Sequence, residues 1–294
     1  MRIAITGSEG FIGRELQRHC QSRNIACVGI DTAGSGVMAC VDIRSPDLAQ
    51  VIPVGVDAVV HLAAVSRDQD CRADPARAFE VNVGGTLNVM RAARAAGARQ
   101  IIFASSEWVY GDVSNTDVQT ETSPIDITRI TSEYALTKIT AERLLDVGCR
   151  RDGVPVTVLR FGIVYGPRPD NWSAVESVFH AALSEDAVEV KGSLRTARRF
   201  IHVSDLADGI LSALGRTTFE IFNVAGDALV TLGDVIETSA AVLGRRPRII
   251  ERDATAVSIR NPDSGKAREL LGWTPRINLE AGLRSLRESM AAHA

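Results

Sequence analysis

The sequence predicts an α/β protein, a doubly wound parallel sheet with a smaller C-terminal α/β lobe, and three observations carry that reading. Apolar, β-favouring runs alternate with helical patterns through the first half of the chain, as parallel strands joined by right-handed crossovers require. Val56–Leu62 is almost continuously apolar, the pattern of a strand buried on both faces. The first run, from Arg2, leads into glycines at 7, 10 and 13, and a helical pattern begins at once. With 294 residues, 45% of them hydrophobic, the chain can bury a large core and still form a second lobe.

Arg2–Gly13 organises the rest. Strand, tight turn and helix follow each other, with Phe11 and Ile12 opening the helix between Gly10 and Gly13. A turn that brings backbone into contact with a pyrophosphate cannot carry Cβ atoms, and the helix behind it points N–H groups and a positive dipole end at the anion. Gly7, Gly10 and Gly13 therefore read as a dinucleotide cradle. The second strand, Ile25–Ile30, ends at Asp31, 18 residues past Gly13, near the spacing at which a carboxylate accepts both ribose hydroxyls of the adenosine half. Asp31 would repel a 2′-phosphate, and Thr32-Ala33-Gly34 offers no cation to neutralise one, so the expected cofactor is NAD rather than NADP.

Further along, Val37–Ile43 is expected as a third strand, with Asp42 at its end facing the adenine amine, and a short helix starts near Pro46. Small residues in His61-Leu62-Ala63-Ala64 would let backbone approach the cofactor. Asp74-Pro75 opens a long helix through Ala96, with Pro at the first helical position and Gly97 closing it. Gln100–Ala104 is the next buried strand. In such sheets ligands sit beyond the carboxyl ends of the strands.

Just past that strand stand Ser105-Ser106-Glu107-Trp108-Val109-Tyr110-Gly111, and a helix from Thr131 carries Tyr134 and Lys138 one turn apart on one face. An ammonium held beside a phenol stabilises the phenolate, lowering its pKa toward the working pH, so the tyrosine can take a proton from an alcohol or return one to a carbonyl. Ser106, with Ser105 as the near alternative, is placed to hold the same substrate oxygen.

Other classes are disfavoured. A net charge of −3 without a Lys/Arg cluster argues against a nucleic-acid surface, and no apolar run reaches the ~20 residues of a membrane span. Met1 leads directly into a strand without a signal-peptide pattern, so a cytoplasmic location is expected. Five scattered cysteines and five scattered histidines suggest neither a disulfide framework nor a metal site.

Taken together the motifs resemble the extended short-chain dehydrogenase/reductase group, and within it the NAD-dependent sugar epimerase/dehydratase enzymes. The matching pieces are Thr6–Gly13, Asp31, Asp42-Ile43, His61–Ala64, Asn82–Asn88, Ser105–Gly111, Tyr134–Lys138, Leu159–Pro167, Arg198–Asp205 and Leu271–Pro275, in family order along the chain. The resemblance implies a Rossmann domain over residues 1–160 that holds NAD, and a substrate lobe mainly over 161–294, part of which returns to the first domain. It implies Ser106, Tyr134 and Lys138, with Glu107 beside them, as the catalytic set. To the cradle it adds Ile43, Leu62, Ala63, Ala64, Asn82, Ser105 and Phe161 as cofactor contacts, besides Tyr134 and Lys138. Arg198 matches the family arginine that meets the nucleotide diphosphate, and Arg252 lies near a usual second one. The position of Ile163 is an asparagine in many relatives, and isoleucine cannot donate to a phosphate. Either another residue holds the diphosphate or the substrate is not an ordinary nucleotide sugar.

A homodimer is also implied, through the helices at 74–96 and 131–151, where Val89, Ala93, Leu144 and Leu145 extend the apolar surface past one inward stripe. The expected reaction is hydride removal and return at a sugar carbinol, most simply epimerisation at C4. Dehydratase relatives carry an acidic residue where this chain has Trp108, whose indole N–H donates only. A dehydrogenase or reductase with net redox turnover stays open, a 4,6-dehydratase less so, and the presence of both Tyr134 and Lys138 argues against a cofactor-sensing binding protein.

Overall fold

The computed structural model describes residues 1–33, 39–111 and 115–292. Its contacts divide the chain into two compact units, interleaved along the sequence. The first comprises Met1–Gly111, Pro124–Phe161 and Ala207–Phe222; the second comprises Asp112–Ser123, Gly162–Leu206 and Asn223–Ala294.

In the first unit β1 (Arg2–Thr6), α1 (Phe11–Ser22), β2 (Ala26–Asp31), β3 (Ala39–Cys40), α2 (Leu48–Val51), β4 (Ala58–His61), α3 (Asp68–Ala73), α4 (Pro75–Phe79), α5 (Thr86–Ala95), β5 (Ile101–Ser106), α6 (Glu133–Asp152) and β6 (Val156–Phe161) follow in order. Pairings β1 with β2 and β4, β2 with β3, β4 with β5 and β5 with β6 are all parallel. With a seventh strand, Glu220–Val224, beside β6, the sheet order from that edge is β6, β5, β4, β1, β2, β3. The reversal of direction falls beside β1, so the carboxyl ends of β1 and β4 open the crevice where such sheets bind ligands. The core under the sheet joins Ala4, Ile30, Val59, Phe103 and Val158 to Val89, Ala93 and Leu145 of the covering helices.

Three expectations change here. The helix across 74–96 is helical throughout but not α throughout: Glu80–Gly85 forms a π turn between α4 and α5. The side chain of Asn82 bonds outside the helix from within it, the setting in which such turns occur at functional sites. Among the described residues the third strand covers Ala39–Cys40; Val37 and Met38 lie outside them, and Asp42 Oδ1 accepts the Arg44 N–H at 2.8 Å in a turn that ends the extended run. Finally, of the four apolar residues expected at a dimer surface Val89, Ala93 and Leu145 are buried in the core of this unit, while Leu144 is half-buried and Phe79 and Val147 are exposed on the same helices.

The second unit holds β7 (Val164–Tyr165), α7 (Ala174–Ser184), β8 (Ala187–Val190), β9 (Ala197–Arg198), β10 (Ile201–His202), β12 (Val230–Thr231), α9 (Leu232–Leu243), β13 (Arg248–Glu251), α10 (Gly265–Leu271) and α11 (Leu279–Ala292), while α8 (Val203–Ser212) and β11 (Glu220–Val224) each pass from one unit to the other. Its strands pair two by two, β7 with β10, β9 with β12 and β8 with β13. Ser173 and Glu176 close a capping box on α7, Thr231 and Asp234 one on α9, so both helix starts satisfy their N–H groups locally. Tyr165, Phe179, Val235 and Leu283 form its core, and Ile163 packs against them. No helix among the described residues is long and apolar enough to cross a membrane.

Candidate active site

The cradle is built from backbone against backbone. Gly7 has φ +74°, and a Cβ there would lie 2.6 Å from the Ala63 nitrogen; one on Gly13 would lie 2.2 Å from the Gly7 carbonyl oxygen. Both positions therefore exclude side chains. Leu62 N–H donates to Thr6 O at 3.0 Å, which draws Leu62–Ala64 alongside the turn. Gly10 caps α1 without a side chain, leaving Phe11 and Ile12 at a helix start suited to an anion. Asp31 ends β2, and its Oδ2 accepts the Glu9 N–H at 2.9 Å, so the carboxylate is tied to the glycine turn it is meant to serve. A dinucleotide fits this arrangement: the turn is closed to Cβ atoms and an acidic group stands at the end of the next strand.

Three other expected cofactor contacts have partners within the chain. Ile43 is 5% exposed, and a Cβ on Gly85 would meet its Cδ1 at 2.5 Å, so its side chain belongs to the core. Asp42 is forked to Arg44, which holds its carboxyl below the usual range. Asn82 Oδ1 accepts from Val65 N at 2.8 Å, while Nδ2 donates to Val65 O at 2.9 Å and to Thr137 Oγ1 at 3.0 Å. Both amide hydrogens are thus used inside the protein. Asn82 braces the loop after β4 against α6, and Thr137 Oγ1 in turn donates to the Tyr134 carbonyl at 2.7 Å.

The catalytic candidates meet at the end of β5. That strand runs two residues further than its apolar pattern suggests, through both serines, so Ser105 and Ser106 take opposite faces. Ser106 hydrogen-bonds the Tyr134 phenol, pairs in register with Phe161, and accepts the Trp108 N–H at 3.3 Å. Ser132 caps α6 through the Ala135 N–H, fixing the turn that carries Tyr134 and Lys138. Lys138 Nζ donates to Ala104 O at 2.8 Å and lies 5.6 Å from the Tyr134 ring centroid. The expected lowering of the phenol is not found in the chain by itself: dense packing pushes Tyr134 above its ordinary value, and the Ser106 hydrogen bond offsets only part of that. Burial also lowers Lys138, to about 8, because an ammonium loses its hydration there.

Trp108 meets Tyr134 edge-on, with ring centroids 6.3 Å apart at 83°. Glu107, a residue as ready for a solvated rim by its sequence position, has no exposed surface.

Ser105 faces away from this cluster. Its Oγ donates to Glu142 Oε1, and Glu142 is gripped by Arg160 through Nε at 3.1 Å and Nη2 at 2.7 Å; Arg160 Nη1 reaches the Tyr110 hydroxyl at 3.0 Å. Sequence reasoning passed over this pair, although an arginine inside the apolar strand Val-Thr-Val-Leu-Arg-Phe signals a buried partner. His61 was likewise missed as a residue with its own role. It bonds Thr6 Oγ1 at 2.7 Å and Thr86 Oγ1 at 3.0 Å, and burial, with the charge of Lys138 acting the same way, lowers it to about 3, so the ring is neutral.

The two arginines expected for substrate lie in the second unit. Arg198, on β9, donates to Ser258 O at 2.6 Å and Ser258 Oγ at 2.7 Å. Arg252, just after β13, pairs with Glu189 at 2.8 Å on an exposed surface.

The family described as NAD dependent epimerase/dehydratase matches residues 3–225. The chain belongs to that family. NAD is therefore its cofactor, in keeping with the cradle and Asp31. Among curated proteins it resembles UDP-glucuronic acid decarboxylase 2 of Arabidopsis thaliana, 29% identical over 96% of this chain; it spans 66% of that protein's length. Among solved structures it resembles the UDP-glucose 4-epimerase of Thermotoga maritima with UDP-glucose, 25% identical with a TM-score of 0.88 over 100% of this chain and 99% of that one. MoeE5 in complex with UDP-glucose and NAD is 26% identical, also with a TM-score of 0.88, over 100% and 99% of the two chains.

Proposed function

We propose that the chain is a nucleotide-sugar 4-epimerase that removes hydride from a sugar carbinol and returns it to the opposite face of the resulting ketone. The observation that carries this reading is Trp108 lying edge-on to Tyr134. Elimination requires a proton acceptor beside the reacting carbinol, and an indole N–H can only donate. Relatives solved with UDP-glucose support the substrate class.

In this mechanism Tyr134 takes the proton of the C4 hydroxyl and later returns it to the ketone oxygen, while Ser106 Oγ holds that oxygen in place. Lys138 stands one helical turn from the phenol, where an ammonium would favour the phenolate during proton transfer. When bound, NAD supplies the hydride acceptor and, in its oxidised form, a positive charge that favours the phenolate. A second reading has support in the resemblance to UDP-glucuronic acid decarboxylases: on a uronic acid the same C4 oxidation makes a β-keto acid, which loses CO₂ without a further base.

Incubation with UDP-glucose, UDP-glucuronic acid and other nucleotide-linked hexoses and pentoses in deuterated water separates the outcomes. The expected result is C4 epimers without solvent deuterium at C5. Release of CO₂ with a deuterated pentose would favour decarboxylation, and a 4-keto-6-deoxy product would overturn both readings.

A further inference from the structure

A line of buried hydrogen bonds runs from the dinucleotide cradle to the helix of the acid–base pair, and its hydrogens can be counted. Thr6, His61, Thr86, Asn82 and Thr137 are each at most 2% exposed, so water does not replace a partner that is lost. At one end the Ala63 N–H donates to Thr6 Oγ1 at 3.4 Å, and that same nitrogen is the atom a Cβ on Gly7 would meet at 2.6 Å. Thr6 Oγ1 lies 2.7 Å from His61 Nδ1, and His61 Nε2 lies 3.0 Å from Thr86 Oγ1. Thr86 Oγ1 donates to Asn82 O at 2.6 Å, and the Asn82 amide grips Val65 and Thr137. Thr137 stands on α6 between Tyr134 and Lys138.

A carbonyl only accepts, so the one hydroxyl hydrogen of Thr86 goes to Asn82 O, and toward His61 the Thr86 oxygen is an acceptor. Nε2 therefore carries a hydrogen. Burial keeps the ring neutral, which leaves Nδ1 bare to accept the Thr6 hydroxyl, and Thr6 Oγ1 in turn accepts the Ala63 N–H. The line has one direction, and reversing a member would set two donors or two acceptors face to face where nothing else can satisfy them. Two of its bonds, Thr86 to Asn82 and Thr137 to Tyr134, are back-bonds within helices. The other links join separate elements: Thr6 with His61 joins β1 to β4, His61 with Thr86 joins β4 to α5, and Asn82 with Thr137 joins the π turn to α6.

We propose that His61, as its Nε2–H tautomer, is a positioning residue that ties the wall of the cradle to the π turn and, through Asn82, sets where α6 carries Tyr134 and Lys138 relative to that wall. A dinucleotide seated against Gly7 and a phenol on α6 have to meet at one carbinol, and a misplacement of about 1 Å is enough to slow such a step. His61 touches neither reactant and acts by placing the groups that do. The proposal rests on the reading of Tyr134 and Lys138 as the acid–base pair, but two of its three measurements need no turnover.

The chain has five histidines, so in protein labelled with ¹⁵N-histidine the His61 ring is identified by its absence from His61→Asn or, should that variant not fold, by the shift of its Nε2 signal in Thr86→Val. The expected spectrum near pH 7 shows hydrogen on Nε2 and a bare Nδ1. Hydrogen on Nδ1, or a ring exchanging between both forms, overturns the proposal. The second measurement is amide exchange in the first two turns of α6, which His61→Asn should speed because its amide can still accept from Thr6 but no longer reaches Thr86. His61→Gln, whose longer amide can donate to Thr86, should restore part of the protection. The third is a double-mutant cycle in kcat on a nucleotide sugar. His61→Asn and Thr137→Val are each expected to lower kcat roughly tenfold with KM little changed, and the double variant no further than the worse single one, since a line already cut loses nothing by a second cut. Effects that multiply in the double variant, or α6 exchange unmoved by His61→Asn, overturn the proposal and leave His61 a local brace of β4. Absence of turnover on any nucleotide sugar would instead overturn the reaction assigned above and leave the tautomer and exchange measurements standing.

Discussion

Arg160 and Arg252 each pair with a glutamate at nearly the same distance, 2.7 Å and 2.8 Å, yet their side chains are 4% and 58% exposed. In the first unit the pair is almost wholly buried, so each charge depends on the other and on Ser105 and Tyr110. In the second unit water competes with Glu189 for Arg252, and the pair adds little to stability. The contrast extends beyond these residues. Around Tyr134 nearly every polar atom is committed to another: Asn82 to Val65 and Thr137, His61 to Thr6 and Thr86, Lys138 to Ala104. Such a site holds its geometry before substrate arrives, while a surface arginine such as Arg252 can change partner at small cost.

Three measurements would sharpen this comparison or break it. The largest effect is expected at Tyr134: Tyr134→Phe removes one hydroxyl from the buried cluster and should lower turnover by about 10²-fold or more, the scale of a lost general acid–base group, while NAD still binds. Full activity in that variant would remove Tyr134 from the mechanism.

The second concerns acid stability. His61 is held neutral in the folded chain, with its pKa lowered to about 3. A base whose folded value is depressed contributes full stability above its unfolded value of roughly 6.5 and loses it as pH falls, at about 1.4 kcal/mol per pH unit until the folded value is reached. Denaturant unfolding followed from pH 7 to 4 should show that slope, and His61→Asn should flatten it. An unchanged slope in the variant would assign the acid sensitivity elsewhere.

The smallest effects belong to the second unit. Arg198→Ala should raise KM for a nucleotide sugar roughly tenfold with kcat little changed, the loss of a charge-assisted hydrogen bond. Arg252→Ala should stay within about threefold of the unaltered enzyme. A larger effect for Arg252 than for Arg198 would reverse the comparison.

Local features were legible in the sequence because local sterics decide them. Three glycines after a strand can only form a tight turn, and here a Cβ on Gly13 would meet the Gly7 carbonyl at 2.2 Å. Tyr134 and Lys138 share a face because four residues make about one helical turn. The alternation of strands and helices that predicts the parallel sheet is of the same kind. Asn82 read as a cofactor contact because its position in a motif says nothing of where its amide hydrogens go; that is decided by Val65 and Thr137, which the fold brings to it. Apolar pattern likewise could not show that Val89, Ala93 and Leu145 would be used up under the sheet.

By itself, then, the amino-acid sequence determined the sheet, the glycine cradle with Asp31, and the spacing that puts Tyr134 and Lys138 on one helical face, since each depends on neighbours within a few residues or on a repeating pattern. Only the tertiary structure decided which serine faces the phenol, that the helix after Asp74 carries a π turn, and that Glu142 and Arg160 pair 18 residues apart behind the site. Those outcomes depend on burial and on long-range pairing. A side chain's protonation and partners follow from the water it has lost, and that is a property of the packed chain.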